Sequence, residues 1–328
     1  GLLIQILNMQ FKTKGVVLIS VLLTVLLLSS IAVLIGNNYF VSFKRAQYLE
    51  FQTVSLNIFT SMESLALKKI DNELRFNSKM HAKNNALFVN VFIFETSKGL
   101  VSGKLIDTSN CFNINALVTK INNTYKPNKE NIAVFKRLMV LNEVENNLID
   151  EAIDQVLDWI DEDSNPRAFG HEDYYYSGQL NNPKEYTSGR IFLHIDEIKS
   201  LPAIRAIGWN LFDQNFCARP DNNLSINLNT ISTNQVALLS SLFENLSYSD
   251  AEYIIDNIPE EGIKDLNELK NLFPAYNLEI SQNYIAFSSI NFELITNLTY
   301  ENFYSESVSK IYYGPNNSYI ISRTYNGI

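Results

Sequence analysis

The densest concentration of chemically capable side chains in this sequence runs Asp158-Trp-Ile-Asp161-Glu-Asp163-Ser-Asn-Pro-Arg-Ala-Phe-Gly170-His-Glu172-Asp173-Tyr-Tyr-Tyr176. Acids at Asp158, Asp161 and Asp163, then a turn, then Glu172 and Asp173, can converge several oxygens on one point. A hard cation such as Ca2+ takes about six to eight oxygen ligands from carboxylates, carbonyls and water, so these five residues are candidate ligands. Their spacing is not that of an EF-hand loop. The same stretch also reads as a solvated acidic turn closing a helix, with Trp159 and the tyrosines in the core. The residues alone leave both readings open.

Catalytic chemistry has little to work with. The three histidines, His81, His171 and His194, are scattered and lack zinc-ligand spacing. There is no Gly-x-Ser-x-Gly elbow, phosphate loop or dinucleotide fingerprint. Paired acids could serve a hydrolase, but here they crowd one short segment, as ligands do, so the chain does not read as an enzyme. A net charge of −9 and a pI near 5.0 argue against a nucleic-acid partner, which needs clustered Lys and Arg. The two cysteines, Cys111 and Cys217, are free thiols in a reducing compartment and disulfide candidates in an oxidising one. Each lies shortly before one copy of a weak internal repeat, so a bridge would pin the two copies together.

The elements that must position these residues begin with an apolar block. Lys12-Thr-Lys-Gly15 runs into Val16–Ile35, which has no charged residue and only Ser20, Thr24, Ser29 and Ser30 as polar members, each able to bond back to a helix carbonyl. At 1.5 Å per residue it spans roughly 30 Å, a bilayer core. Lys12 and Lys14 precede it without an acid, which keeps the N-terminus cytoplasmic and exports the bulk. Lys44 and Arg45, beyond the block, work against that bias. Met9 is the expected natural start, residues 1–8 being an over-extended one. Helical periodicity continues from Asn37 to about Lys83 through Phe40, Phe43, Leu49, Val54, Leu56, Ile58, Phe59, Met62, Leu65, Ile70 and Leu74. One long helix is expected, unless Gly36-Asn37-Asn38 breaks it in two.

Leu87–Glu95 and Gly99–Asp107 are β-branched and aromatic and read as a hairpin. Helices are expected at 131–141, 144–160, 233–244, 249–257 and 263–273, the last three capped or bounded by Thr233, Ser249 and Phe273. From Tyr284 to Tyr325 the pattern is strand-like again, with Gly314-Pro-Asn-Asn as a turn. Strands therefore flank a helical block, and the simplest topology is one α+β unit whose sheet is interrupted by an inserted helical domain. Within it, Phe112-Asn-Ile-Asn-Ala-Leu and Ser225-Ile-Asn-Leu-Asn-Thr-Ile share an apolar-Asn-apolar-Asn core. The second copy resembles the Asn-x-Asn entrance of helix-hairpin-helix and SAM-like modules. Neither copy carries the Gly-x-Gly hairpin that binds DNA, so the asparagines are expected to tie an entry strand to a helix.

Lys-Gly followed by an uninterrupted apolar helix resembles the type III signal of type IV pilins and pseudopilins. The resemblance implies that prepilin peptidase cuts Gly15–Val16, removes a basic leader and leaves a methylated helix in the inner membrane. Most pilins carry Glu as the fifth residue after the cut; here it is Ser20. That departure, with Cys111-Phe-Asn-Ile-Asn, Asp158-Trp-Ile-Asp-Glu-Asp, Gly170-His-Glu-Asp-Tyr-Tyr-Tyr and Cys217-Ala-Arg-Pro, resembles the K-type minor pseudopilin (GspK family) of type II secretion. The fold this implies is a pilin-like long N-terminal helix and small antiparallel sheet with a large α-helical domain inserted. The segments are a leader at 1–15, a membrane half-helix at 16–36, a periplasmic helix and first strands at 37–110, the insert at 111–282 and closing strands at 283–328. The function implied is a single-pass subunit with its bulk in the periplasm, at the pseudopilus tip. It would prime assembly with the I-type and J-type minor pseudopilins, touch the secretin and secreted cargo, and bind Ca2+ through Asp158, Asp161, Asp163, Glu172 and Asp173. Without the resemblance, the same residues describe a membrane-anchored periplasmic binding or assembly protein with no filament role.

Overall fold

A computed structural model describes residues 2–76, 80–96, 98–276, 278, 284–314 and 317–327, with side chains from residue 16 onward. Its spine is α1 (Leu2–Phe76), one unbroken helix of 75 residues. Gly36 does not interrupt it, and the expected back-bonds form: Ser20, Thr24 and Ser30 each donate to the carbonyl three residues earlier at 2.8 Å. Those bonds satisfy hydroxyls that a hydrocarbon environment could not. The helix is described to Phe76 and has ended by residue 80, short of Lys83. His81 is drawn elsewhere, its N–H donating to the Phe287 carbonyl at 2.8 Å.

Leu87–Val89 are not the start of a strand. The Asn85 side chain accepts from the Leu87 N–H at 2.9 Å and caps a single helical turn, α2 (Ala86–Val89). The hairpin follows as β1 (Val91–Thr96) and β2 (Gly99–Asp107). After the insert the chain returns as β9 (Asn291–Tyr300), β10 (Phe303–Tyr313) and β11 (Ser318–Asn326). All five strands form one antiparallel sheet in the order β1-β2-β9-β10-β11. One face packs on α1 through Phe51, Phe59, Met62, Ala66, Ile70 and Leu74, meeting Val101, Leu105, Phe292, Leu294 and Leu298. Phe40 and Phe43, expected in that stripe, are exposed because the sheet first meets α1 near Tyr48, and Leu49 and Leu56 are exposed on the helix face turned away from it. Buried Glu63 fixes the docking: Arg323 on β11 donates to it at 2.8 and 3.0 Å, and Ser309 on β10 at 2.6 Å.

The insert opens with β3 (Phe112–Asn113), a 3-10 turn at Ile114–Leu117 and the hairpin β4 (Val118–Ile121) and β5 (Thr124–Pro127). Then come α3 (Lys129–Leu141), α4 (Asn146–Ile160), α5 (Asp173–Tyr176), α6 (Pro202–Ile207), α7 (Trp209–Asn215) and β6 (Phe216–Cys217). A second run holds β7 (Ile226–Asn227), α8 (Val236–Ser241), α9 (Tyr248–Asp256), α10 (Leu266–Leu272) and β8 (Ile285–Ala286). The caps fall near their expected places: Ser232 starts the turn before α8, and Ser247 rather than Ser249 starts α9. Val236, Leu238, Leu239, Ile254 and Phe135 are among the apolar residues of a second core that extends from Phe112 to Tyr284.

The weak sequence repeat is a structural one. β3 pairs in parallel with β6 and β7 in parallel with β8, so each copy closes on its own returning strand. The pairing of β8 with β7 places Ile285–Ala286, read from sequence among the closing pilin strands, on the helical core instead. In the first copy Asn115 accepts from the Phe192 N–H at 2.8 Å and donates to the Phe192 carbonyl at 2.9 Å. In the second, Asn229 makes the same two-way pairing with Ile263, at 2.7 and 2.8 Å. Both amides are buried, so each bond replaces one that water cannot supply.

Candidate metal centre

The acidic stretch leaves the end of α4, whose last turn carries Asp158 and whose cap is Asp161. Trp159 on the same turn points the other way, into the core, where it stacks on Phe192 at 6.2 Å and meets Tyr176 edge-on at 5.1 Å. The loop then folds back so that α5 sets Glu172 and Asp173 near the carboxylates of α4. Gly170 permits this return, since a side chain there would run into the Asp158 carboxylate.

The five expected ligands divide. Asp161, Asp163 and Glu172 each bring a carboxylate oxygen into one group spanning no more than 4.8 Å. Asp158 is instead committed to Arg167, accepting its backbone N–H at 3.0 Å and its guanidinium through the other oxygen. Asp173 accepts the N–H and hydroxyl of Thr187, at 2.7 and 2.8 Å, and holds the loop beyond α5. Arg167 is the residue that the sequence reading missed. It also donates to Asp161 at 2.7 Å, so one guanidinium offsets two of the acids. Its position inside the acidic run was the available signal.

That offset is incomplete. Asp161 Oδ1 and Glu172 Oε1 are buried without a hydrogen-bond partner among the described residues. Burial, and then the neighbouring charges of Asp158, Asp161, Asp163 and Asp173, push the Glu172 carboxyl up to about 7. Burial also raises the Asp158 and Asp161 carboxyls, against the opposing pull of Arg167. Two buried carboxylate oxygens with no hydrogen-bond donor beside a third carboxylate are chemically suited to a positive charge. The residues therefore fit a hard cation held by Asp161, Asp163 and Glu172, with carbonyls and water completing its shell.

The other expected residues lie elsewhere. Cys111 and Cys217 are joined by a disulfide with Cα atoms 5.8 Å apart. It does not pin the two repeats together. Cys217 lies on β6, opposite Asn113 of β3, so the bridge closes the first copy on itself. Val16 is 66% exposed on α1, and Gly15 lies outside the residues whose side chains are described.

A long helix on a small antiparallel sheet, with a two-copy helical insert between β2 and β9, defines a pilin-like α+β fold. Two family models for type II secretion system protein K match residues 110–221 and 226–288, together more than half of the chain. The chain belongs to the type II secretion system protein K family. It is 27% identical over 190 residues to the protein K of Aeromonas hydrophila, a match spanning 56% of this chain and 57% of that one. The Escherichia coli (strain K12) relative is 24% identical over 255 residues, 77% of each chain. Among solved structures, a chain of the GspK-GspI-GspJ complex from enterotoxigenic Escherichia coli superposes with a TM-score of 0.73. It is 20% identical, and the match covers 86% of this chain and 99% of that one.

Proposed function

We propose that this chain is a K-type minor pseudopilin that sits at the tip of the periplasmic pseudopilus and primes its assembly with I-type and J-type partners. The observation that carries the reading is where the insert leaves the pilin frame. Lys98, in the β1–β2 turn, meets Glu50 of α1 at 3.0 Å, whereas the chain leaves β2 at Asp107 and returns at Asn291, beside His81. The insert thus lies at the end of α1 away from the apolar block, where it obstructs a further subunit stacking above. Ser20 agrees with such a place: a terminal subunit needs no carboxylate to greet one beyond it. The solved relative belongs to a GspK-GspI-GspJ complex, which supports the choice of partners.

Further parts of the reading follow the same logic. Prepilin peptidase cuts Gly15–Val16, α1 anchors the subunit in the inner membrane before assembly, and the exposed insert faces the secretin and cargo. Its role is structural, with Ca2+ bound by Asp161, Asp163 and Glu172 to fix the loop after α4. The test is co-purification of the full chain with I-type and J-type subunits from membranes with and without prepilin peptidase, with the mass of the mature chain measured in each. Loss of the leader only when the peptidase is present, and capture of both partners, is expected. An uncut Gly15–Val16 bond, or a chain isolated without either partner, sinks the pseudopilin reading and leaves an anchored periplasmic protein with no filament role.

A further inference from the structure

Between the apolar block and the globular body, α1 crosses open space. Every residue from Val16 to Ala46 is exposed, and the first buried side chain is Phe51. From Gly36 to Phe51 the helix therefore makes a neck of roughly 22 Å at 1.5 Å per residue. That neck is not polar. Tyr39, Phe40 and Phe43 are 72%, 59% and 48% exposed. Tyr39 stacks on Phe43 with ring centres 6.4 Å apart, and the Lys44 ammonium lies 5.8 Å from the Phe40 ring centre. The lysine thus leans back toward the apolar block, the direction in which helix side chains point. Arg45 follows it.

The charge pattern is one-sided. No Asp or Glu occurs from Val16 to Leu49. The first acid, Glu50, is taken by Lys98, which also lies 3.5 Å from Glu301. No salt bridge among the described residues engages Lys44 or Arg45. Three exposed aromatics followed by two unopposed cations, just past a membrane-length helix, are the components of an interfacial belt.

We propose that residues 39–45 bind an anionic phospholipid of the leaflet facing the globular body. Tyr39, Phe40 and Phe43 lie among the headgroups, and Lys44 and Arg45 clasp the lipid phosphate. The proposal rests on the reading that Val16–Ile35 spans the bilayer. The distances agree. Headgroups add about 5–8 Å beyond each side of the hydrocarbon; Phe40 stands about 7 Å past Ile35 along the helix, and long cationic side chains reach back to the phosphate level. The girdle accounts for the charges that run against the orientation bias. Once a leader bearing Lys12 and Lys14 is removed, Lys44 and Arg45 are the side-chain cations left beside the membrane. Entry of the subunit into a filament then requires giving up this lipid.

The experiment is native mass spectrometry of the full chain in detergent, titrated with equal amounts of phosphatidylglycerol and phosphatidylcholine. The wild type is expected to retain phosphatidylglycerol with a preference of roughly tenfold, as two cations near an anionic lipid allow. Lys44→Gln/Arg45→Gln should abolish the preference, and Lys44→Arg/Arg45→Lys should keep it. Equal retention of the two lipids by the wild type, or an unchanged preference in the glutamine variant, overturns the proposal. So does displacement of the lipid by millimolar inorganic phosphate, or by an acidic peptide, which would mark a free-anion or protein site. Alkaline carbonate extraction separates this failure from a failure of the membrane reading: a wild-type chain released by carbonate overturns the span and the girdle together, whereas a retained chain lacking lipid preference overturns the girdle alone.

Discussion

The two copies of the repeat share an entry and differ in what they close upon. In the first, Asn115 reaches a backbone partner 77 residues away and the copy ends on β6, cross-linked by Cys111–Cys217. In the second, the equivalent Asn229 reaches Ile263, only 34 residues away, and the copy ends on β8 with no cystine. The first carries the acidic loop and Arg167. The second carries the joint to the pilin frame: Asn227 donates to the His81 carbonyl at 3.0 Å and to Ser289 Oγ at 2.7 Å, and Ser289 donates to Asp107 at 2.6 Å. A long excursion costs more chain entropy to order than a short one. The copy with the long loop uses a covalent bond and a charged cluster to hold it, and the copy with the short loop uses neither.

The largest expected effect is on the cystine. A loop of 106 residues closed by a disulfide is worth about 4–5 kcal/mol in the chain-entropy view. Cys111→Ser/Cys217→Ser should lower stability by that order in urea melts. Hydrogen exchange should show lost protection in β3, β6 and α3 and little change in β7 and β8. Equal loosening of both copies would end the claim that the first is separately secured.

Next come the two asparagines. Truncating either leaves a buried backbone N–H and C=O unpaired, a cost of about 3 kcal/mol. Asn115→Ala should expose the loop around Phe192 to protease, whereas Asn229→Ala should expose the segment around Ile263. Identical cleavage patterns would contradict the division of labour.

Cation binding should matter somewhat less. If Ca2+ holds the loop, a hundredfold excess over Kd adds about 2.7 kcal/mol. EDTA should then lower the melting temperature of the wild type by several degrees and leave Asp161→Ala/Asp163→Ala unmoved. Asp158→Asn, by contrast, should cost stability with or without the metal, since its partner is Arg167. Melts that ignore EDTA in every variant would remove the metal from the comparison.

The smallest effect belongs to the joint. His81 is buried, and its Nδ1 accepts the Ser289 N–H at 3.0 Å, so protonation there must break that bond. Burial holds the imidazole below its usual 6.5, against the pull of Glu73 on α1 and Asp107 on β2. The unfolded chain therefore binds the proton more readily, and the contribution is complete above about 6.5 and is lost as pH falls below it. His81→Asn keeps an acceptor and should flatten the stability profile between pH 7 and 5. A parallel decline in both proteins would place the acid sensitivity elsewhere.

Much of this was open to reading in the residues. The hairpin and the α3 and α4 helices follow from local chemistry that acts within a few residues, and the expected caps at Thr233 and Ser249 fell one and two residues beyond the ones that form, Ser232 and Ser247. What escaped were contacts made at a distance. Phe51 and Ala66 sit on the buried face of α1, while Phe40 and Phe43 do not, because periodicity gives a stripe but not where the sheet begins to cover it. Leu87–Val89 lost their strand to the Asn85 cap, and Ile285–Ala286 paired with β7 instead of joining the pilin sheet.

The sequence by itself determined that one helix is apolar enough to cross a bilayer, that strands flank a helical insert, and that two Asn-x-Asn entries recur. These are properties of composition and short-range spacing. Only the tertiary structure decided that Arg167 withdraws Asp158 from the acidic cluster, that Thr187 withdraws Asp173, and that Cys111 and Cys217 close one copy rather than join two. Each of those outcomes depends on which side chains the fold brings together in space. That is set by the packing of α4, the turn at Gly170 and the parallel pairing of β3 with β6, none of which is written in the spacing of the acids or the cysteines.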